Sequence, residues 1–189
     1  MLTRSKQTRG TLVPLYALGA IFFVPLVIGV LLVSNSASWN DHANQVSRDV
    51  ASMYAQGLDF SNAANQDIAL KVAEGLGMNI RGGRGVLMLS KIRVVHGGDC
   101  AGAGHCANEG FPVITERYVI GNATLRASSF GTPAHVDPGT GKVRDWANDV
   151  TARAEDFPAN LKAGESTYAA ECYLASQEPL GGVYSRAMF

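Results

Sequence analysis

The chain has 189 residues, 47% of them hydrophobic, with sixteen basic and sixteen acidic side chains, which suits one folded domain plus an anchor. Arg4, Lys6 and Arg9 fall in the first ten positions and no acidic residue precedes Asp41, so the remainder holds thirteen basic against sixteen acidic residues. A mildly acidic body lacks the basic face that displaces counterions from phosphates, which excludes nucleic acid as a partner.

No charge occurs between Gly10 and Asp41. Thr11 to Val33 is one apolar run, about 34 Å long as a helix and long enough to cross a hydrocarbon core of about 30 Å. Pro14 falls in the first turn, where its missing N–H costs little, and Pro25 kinks the helix without excluding it. Basic residues before the run and none close behind it predict a cytoplasmic N-terminus and an inner-membrane protein. The rival reading is a cleaved secretory signal, with Ser34, Ser36, Ala37 and Ser38 as small residues; its apolar region is shorter, about 7–15 residues.

Beyond the run, Trp39, Ala43, Val46, Val50 and Met53 step by four and three, a seam that predicts helix continuing to a stop at Gly57. The seam packs either on its own domain or on a neighbouring chain. A second helix is expected from Ser61, as cap, to about Gly75, with Phe60, Ala64, Ile68, Val72 and Leu76 on one face. Residues 79–85 read as a turn or hinge. Period two then takes over. Val86, Met88, Ser90, Ile92 and Val94 alternate with Leu87, Leu89, Lys91 and Arg93, and residues 111–120 and 123–130 read as strands joined at Gly121–Asn122. Asp137 to Gly141 is a turn cluster, 145–157 a short amphipathic helix, and 167–175 and 182–189 further strands. Helices followed by antiparallel strands make an α+β fold. The expected organisation is a leader at 1–10, a membrane helix at 11–33, its continuation at 34–58 and an exported head at 59–189.

Cys100 and Cys106 enclose a Gly-rich loop too poor in apolar residues to be held by packing, and a disulfide there fits an oxidising compartment. Cys172 remains as a buried thiol, an exchange partner or an inter-chain link. Catalytic and ligand constellations are not visible. His42, His96, His105 and His135 are scattered, and His105-Cys106 supplies half of a metal site at most. The glycines at 75, 77, 82, 83 and 85 lack the Gly-Lys-Ser/Thr of a phosphate loop. Glu155, Asp156, Glu165 and Glu171 are assigned to solvent faces, and Asn122-Ala-Thr is a glycosylation sequon by pattern only. No enzyme activity, cofactor or metal is expected.

The stretch Thr8-Arg9-Gly10-Thr11-Leu12-Val13-Pro14-Leu15-Tyr16-Ala17 resembles the type IV prepilin processing region, in which a membrane-embedded peptidase cuts after the glycine. The resemblance implies cleavage between Gly10 and Thr11. The Tad branch carries Glu-Tyr or Glu-Phe at the fifth and sixth positions after the cut; here Leu15 and Tyr16 stand there, so the aromatic matches and the glutamate does not. The chain looks most like TadE/TadG-like pilus-assembly proteins or minor pseudopilins, and Leu161 to Tyr173 and Tyr184 to Phe189 look like terminal strands of larger members. The implied role is a structural component of a surface pilus or secretion apparatus. Its partners would be the lipid bilayer and its own or other pilin-like subunits, with Leu15, Tyr16, Trp39, Val46 and Met53 as interface candidates. The alternative is a membrane-tethered binding or sensing module.

Overall fold

The computed structural model describes residues 12–80, 82–100, 105–157, 160–175 and 182–189. Helix α1 runs Leu12–Ala55 and α2 Ala63–Val72; the strands are β1 Met78–Asn79, β2 Gly82–Gly83, β3 Gly85–Val94, β4 Pro112–Gly121, β5 Ser166–Leu174 and β6 Val183–Met188. The fold is α+β, as the pattern predicts. Two compact units divide the chain at Trp39/Asn40.

The first unit contains the apolar half of α1, in which every described side chain from Gly19 to Ser34 is exposed. Helix α1, with Pro25 inside it, is by length and composition long and apolar enough to cross a membrane. Gly10 and Thr11 lie outside the described residues, as does the side chain of Leu15.

The second unit is the head. It is built on a four-stranded antiparallel sheet in the order β4-β3-β5-β6. Strand β3 is central and is buried on both faces from Gly85 to Ser90, which is why its residues read as a nearly continuous apolar run. The predicted face assignment agrees with the register. Leu87 lies opposite Cys172, Cys172 opposite Ser185, Leu89 opposite Tyr118 and Lys91 opposite Tyr168. This face receives the second half of α1: Tyr54 packs edge-on against Tyr118 and Tyr168, and the Ser47 hydroxyl donates to Ser185 Oγ at 3.1 Å. Ser185 in turn donates to Asn44 Oδ1 at 2.6 Å. Buried polar contacts of this kind fix the helix in one register on the sheet. The opposite face carries Ile92 and Ala169, which pack with Val113 and Ile114 of β4 and with Phe130, Val143 and Ala152 from the connecting segments.

The structure settles the α1 seam. Ala43, Val46 and Val50 are buried together with Ser47, Ala51 and Tyr54, so the seam packs on its own domain. Val46 is 1% exposed and presents no surface to a second chain. Trp39 and Met53 are partly exposed. A straight helix drifts about 20° per heptad from a 3.5-residue repeat, so Tyr54 takes the place that Met53 was expected to fill. The helix ends as predicted, with Gly57 at a φ of +93°.

Four expectations are corrected. Helix α2 is capped by Asn62, whose side chain accepts from Ala64 N, and not by Ser61. Of the expected face, Phe60 and Leu76, which flank the helix, are buried, but within α2 the buried residue is Ala69, while Ala64 and Ile68 are exposed. Residues 123–130 form no strand. Gly121 takes a φ of +101° and Asn122 accepts from both the Thr124 amide and hydroxyl, which turns the chain away from β4 and across the sheet. Residues 145–157 form only a short 3-10 turn at Val150–Ala152. There the side chain of Asn108 donates to the carbonyls of Trp146 and Asp149, both at 2.8 Å, and ties this run of turns to the 108 region. The fourth correction, Glu171, belongs to the site below.

Around the segment read as a turn or hinge, β1 and β2 pair antiparallel, with Met78 opposite Gly83 and Asn79 opposite Gly82. The Asp137 cluster is the expected turn: Asp137 Oδ1 accepts from the Gly139 and Thr140 amides at 2.9 and 3.0 Å.

Candidate functional site

Three places gather chemistry-bearing side chains, and the apolar half of α1 stands apart as a surface. Between Leu12 and Val33 the one side chain with a hydrogen-bond donor is Tyr16, which is 78% exposed. Of the interface residues named from sequence, Tyr16 is therefore displayed, Val46 is spent inside the head, and Trp39 and Met53 are intermediate.

The first cluster lies on the β5 face opposite α1. Glu171 is fully buried and not on a solvent face. Its carboxylate accepts from the Ser129 amide and hydroxyl, both at 2.8 Å, from the Tyr184 hydroxyl at 2.6 Å and from the Ser128 hydroxyl. Arg117, 7% exposed, stands 3.9 Å from it and donates to the Gly131 carbonyl at 2.8 Å. Burial lowers the Arg117 pKa to about 10, which still leaves it charged at neutral pH. Burial and the hydrogen bond to Glu171 push the Tyr184 hydroxyl up to about 12. The cluster clamps the crossing segment 122–131 to the sheet. All its carboxylate bonds go to the protein itself, so the arrangement is a fastening.

The second cluster is the disulfide end. Cys100 and Cys106 are bonded, with Cα atoms 5.3 Å apart. Closing so short a loop stabilises by on the order of 2 kcal/mol in the chain-entropy picture. Beside it Arg93 grips Asp99 through two hydrogen bonds, at 3.0 and 3.1 Å, and Asp99 also accepts from His96 N. Asn108, fully buried, joins this end to 146–153: it accepts from Arg153 Nε at 2.8 Å while donating to the two carbonyls named above. Arg153 lies over the exposed Phe111 ring at 4.1 Å. Cys172, by contrast, is a free and fully buried thiol that burial pushes up to about 12, and among the sequence readings for it the structure selects the buried thiol.

The Arg93 guanidinium, followed by the backbone bond from His96, holds Asp99 below the ordinary carboxylate range. A carboxyl depressed in the folded state adds stability above its unfolded pKa of about 3.9, and that stability is lost as pH falls through the folded value. Asp99→Asn should therefore lower stability at pH 7 by about 1 kcal/mol, an amount limited by partial exposure. It should also flatten the decline of the urea midpoint between about pH 4 and pH 2. An unchanged acid profile would show that the pair contributes nothing.

The third cluster is a cleft of about 330 Å³ bordered by Tyr54, Tyr118 and Tyr168 with Asp59, Lys91, Glu116 and Lys142. Tyr54 and Tyr118 are buried to within 8% of full cover, and Lys91 lies over the Tyr168 ring while pairing with Glu116 at 3.7 Å. The tyrosines are thus used mainly in packing, and the Lys91 charge is met by Glu116. Burial, followed by the charge of Glu116, raises the Tyr54 pKa well above its ordinary value, as expected of a tyrosine in packing.

Sequence reasoning missed Glu171, Arg117 and Asn108. Glu171 had a signal: it shares a strand face with Ala169 and Thr167, both buried, so a carboxylate there required partners. Among the described residues no group of three or more His, Cys, Asp or Glu side chains is placed to hold a metal ion. Comparison with family models, curated proteins and solved structures gives no match. Function therefore rests on the geometry of this chain.

Proposed function

We propose that the protein is a single-pass membrane protein with a cytoplasmic N-terminus and an exported head, and that it serves as a structural or assembly component of a Tad-like pilus or secretion apparatus through its N-terminal helix. The observation that carries the reading is the contrast within α1. From Gly19 to Ser34 the described side chains are uncharged and exposed, whereas from Ala43 to Tyr54 one stripe is buried in the head. An uncovered apolar helix half of this length requires lipid or other helices around it. The clusters of the head support the same reading, because their polar groups are used internally. The Cys100–Cys106 bond fits an oxidising compartment.

The intact mass of the chain from its native cells tests the pilin-like part. A chain beginning at Thr11 is expected. An intact Met1 in cells with an active prepilin peptidase would remove the processed pilin and leave an unprocessed TadE/TadG-like factor.

A second reading, a tethered binding module, is favoured by the disulfide end, where the buried Asn108 fixes its own turn to the 146–153 segment and Phe111 is 47% exposed. Fixed loops that display an aromatic beside an arginine are the composition of binding hot spots. Phe111→Ala would abolish a ligand response under this reading and leave assembly untouched under the first.

A further inference from the structure

The apolar half of α1 contains one backbone acceptor without its helical donor and one exposed side-chain donor. Pro25 has no N–H, so the Ile21 carbonyl four residues earlier loses its i→i+4 bond inside a continuous helix. In hydrocarbon an unmet carbonyl is costly, and prolines are tolerated there because neighbouring helices or hydroxyls supply the missing donor. From Leu12 to Val33 the one side chain able to supply it is the Tyr16 hydroxyl. Ile21 and Tyr16 are 65% and 78% exposed.

Within one helix the two cannot meet. A helical side chain leans toward the N-terminus, so Tyr16 points away from Ile21, which lies about 7.5 Å further along the axis. They meet only between copies. Resting on the reading above, we propose that this helix recognises a second copy of the chain, the Tyr16 hydroxyl of one copy donating to the Ile21 carbonyl of the next. The bond requires a parallel neighbour displaced along the axis by about 8–12 Å. Donor and acceptor lie five residues apart, about 140° around the helix, so each copy can give to one neighbour and receive from another. A displaced contact between unlike patches does not close into a two-fold dimer, and it propagates as an open assembly.

The test uses full-length protein labelled on the head and reconstituted in phosphatidylethanolamine/phosphatidylglycerol vesicles, with association read by energy transfer against dilution in lipid. Tyr16→Phe is expected to weaken association about 3- to 15-fold, the range of measured inter-helix hydrogen bonds in membranes. Pro25→Ala, which restores the Ile21 bond, should weaken it comparably, and Tyr16→Phe in the Pro25→Ala background should add less than about two-fold. A Tyr16→Phe chain that associates like wild type, or a loss from Tyr16→Phe that is as large in the Pro25→Ala background as in the native one, overturns the proposal and leaves the assembly role standing. Wild-type protein that stays monomeric in the vesicles overturns both.

Discussion

Replacing Arg117 by methionine should cost the head about 3–5 kcal/mol, the range measured when one partner of a buried ion pair is removed. The substitution roughly keeps the volume and takes away the buried positive charge 3.9 Å from Glu171, which is fully buried. It also frees the Gly131 carbonyl, which Arg117 holds at 2.8 Å. Segment 122–131 should loosen first, because Ser128, Ser129 and Gly131 are its ties to the sheet. Urea unfolding of the detergent-solubilised chain at pH 7 measures the loss. Adding Glu171→Gln should recover part of it, since a neutral amide has no charge to compensate. A loss below about 1 kcal/mol for Arg117→Met would mean that the hydroxyl and amide donors alone satisfy the carboxylate.

Val46→Asp should be at least as damaging, by about 4 kcal/mol or more, because it places an unpaired carboxylate where a side chain 1% exposed now packs. Met53→Asp, on the same helix but partly exposed, should change stability by no more than about 1 kcal/mol. The pair separates the two meanings of the seam. If the head of Val46→Asp keeps its near-ultraviolet circular dichroism and melting temperature while only association is lost, the seam belongs to a neighbour and the packing described here is wrong.

Much of this architecture is readable along the chain, because its strongest signals are local. An uncharged run of membrane length, period two through β3, glycines where φ is positive and the short Cys100–Cys106 spacing each need no knowledge of the rest of the fold. The α2 cap at Asn62 is a local substitution for Ser61, but the larger failures involve a side chain whose partner is distant in sequence. Asn108 takes two carbonyls some forty residues away, in the stretch 145–157 expected to be a helix and held there as turns. Glu171 draws in Ser128 and Ser129 from 43 and 42 residues away, in a stretch that composition alone would make a strand. The seam of α1 was visible, but its owner was not: whether Val46 faces its own sheet or another chain depends on Ser185, 138 residues from its neighbour Ser47. The interface reading of Tyr16 is one step richer than sequence allowed, since it depends on a helix that continues unbroken through Pro25.

Protease added to intact spheroplasts that express the chain tests the central claim most directly. Digestion of residues 40–189 from outside, with a fragment holding the apolar half of α1 left in the membrane pellet, is the predicted result. A head that resists protease until the membrane is opened, or a full-length chain that washes off as a soluble species, would contradict it.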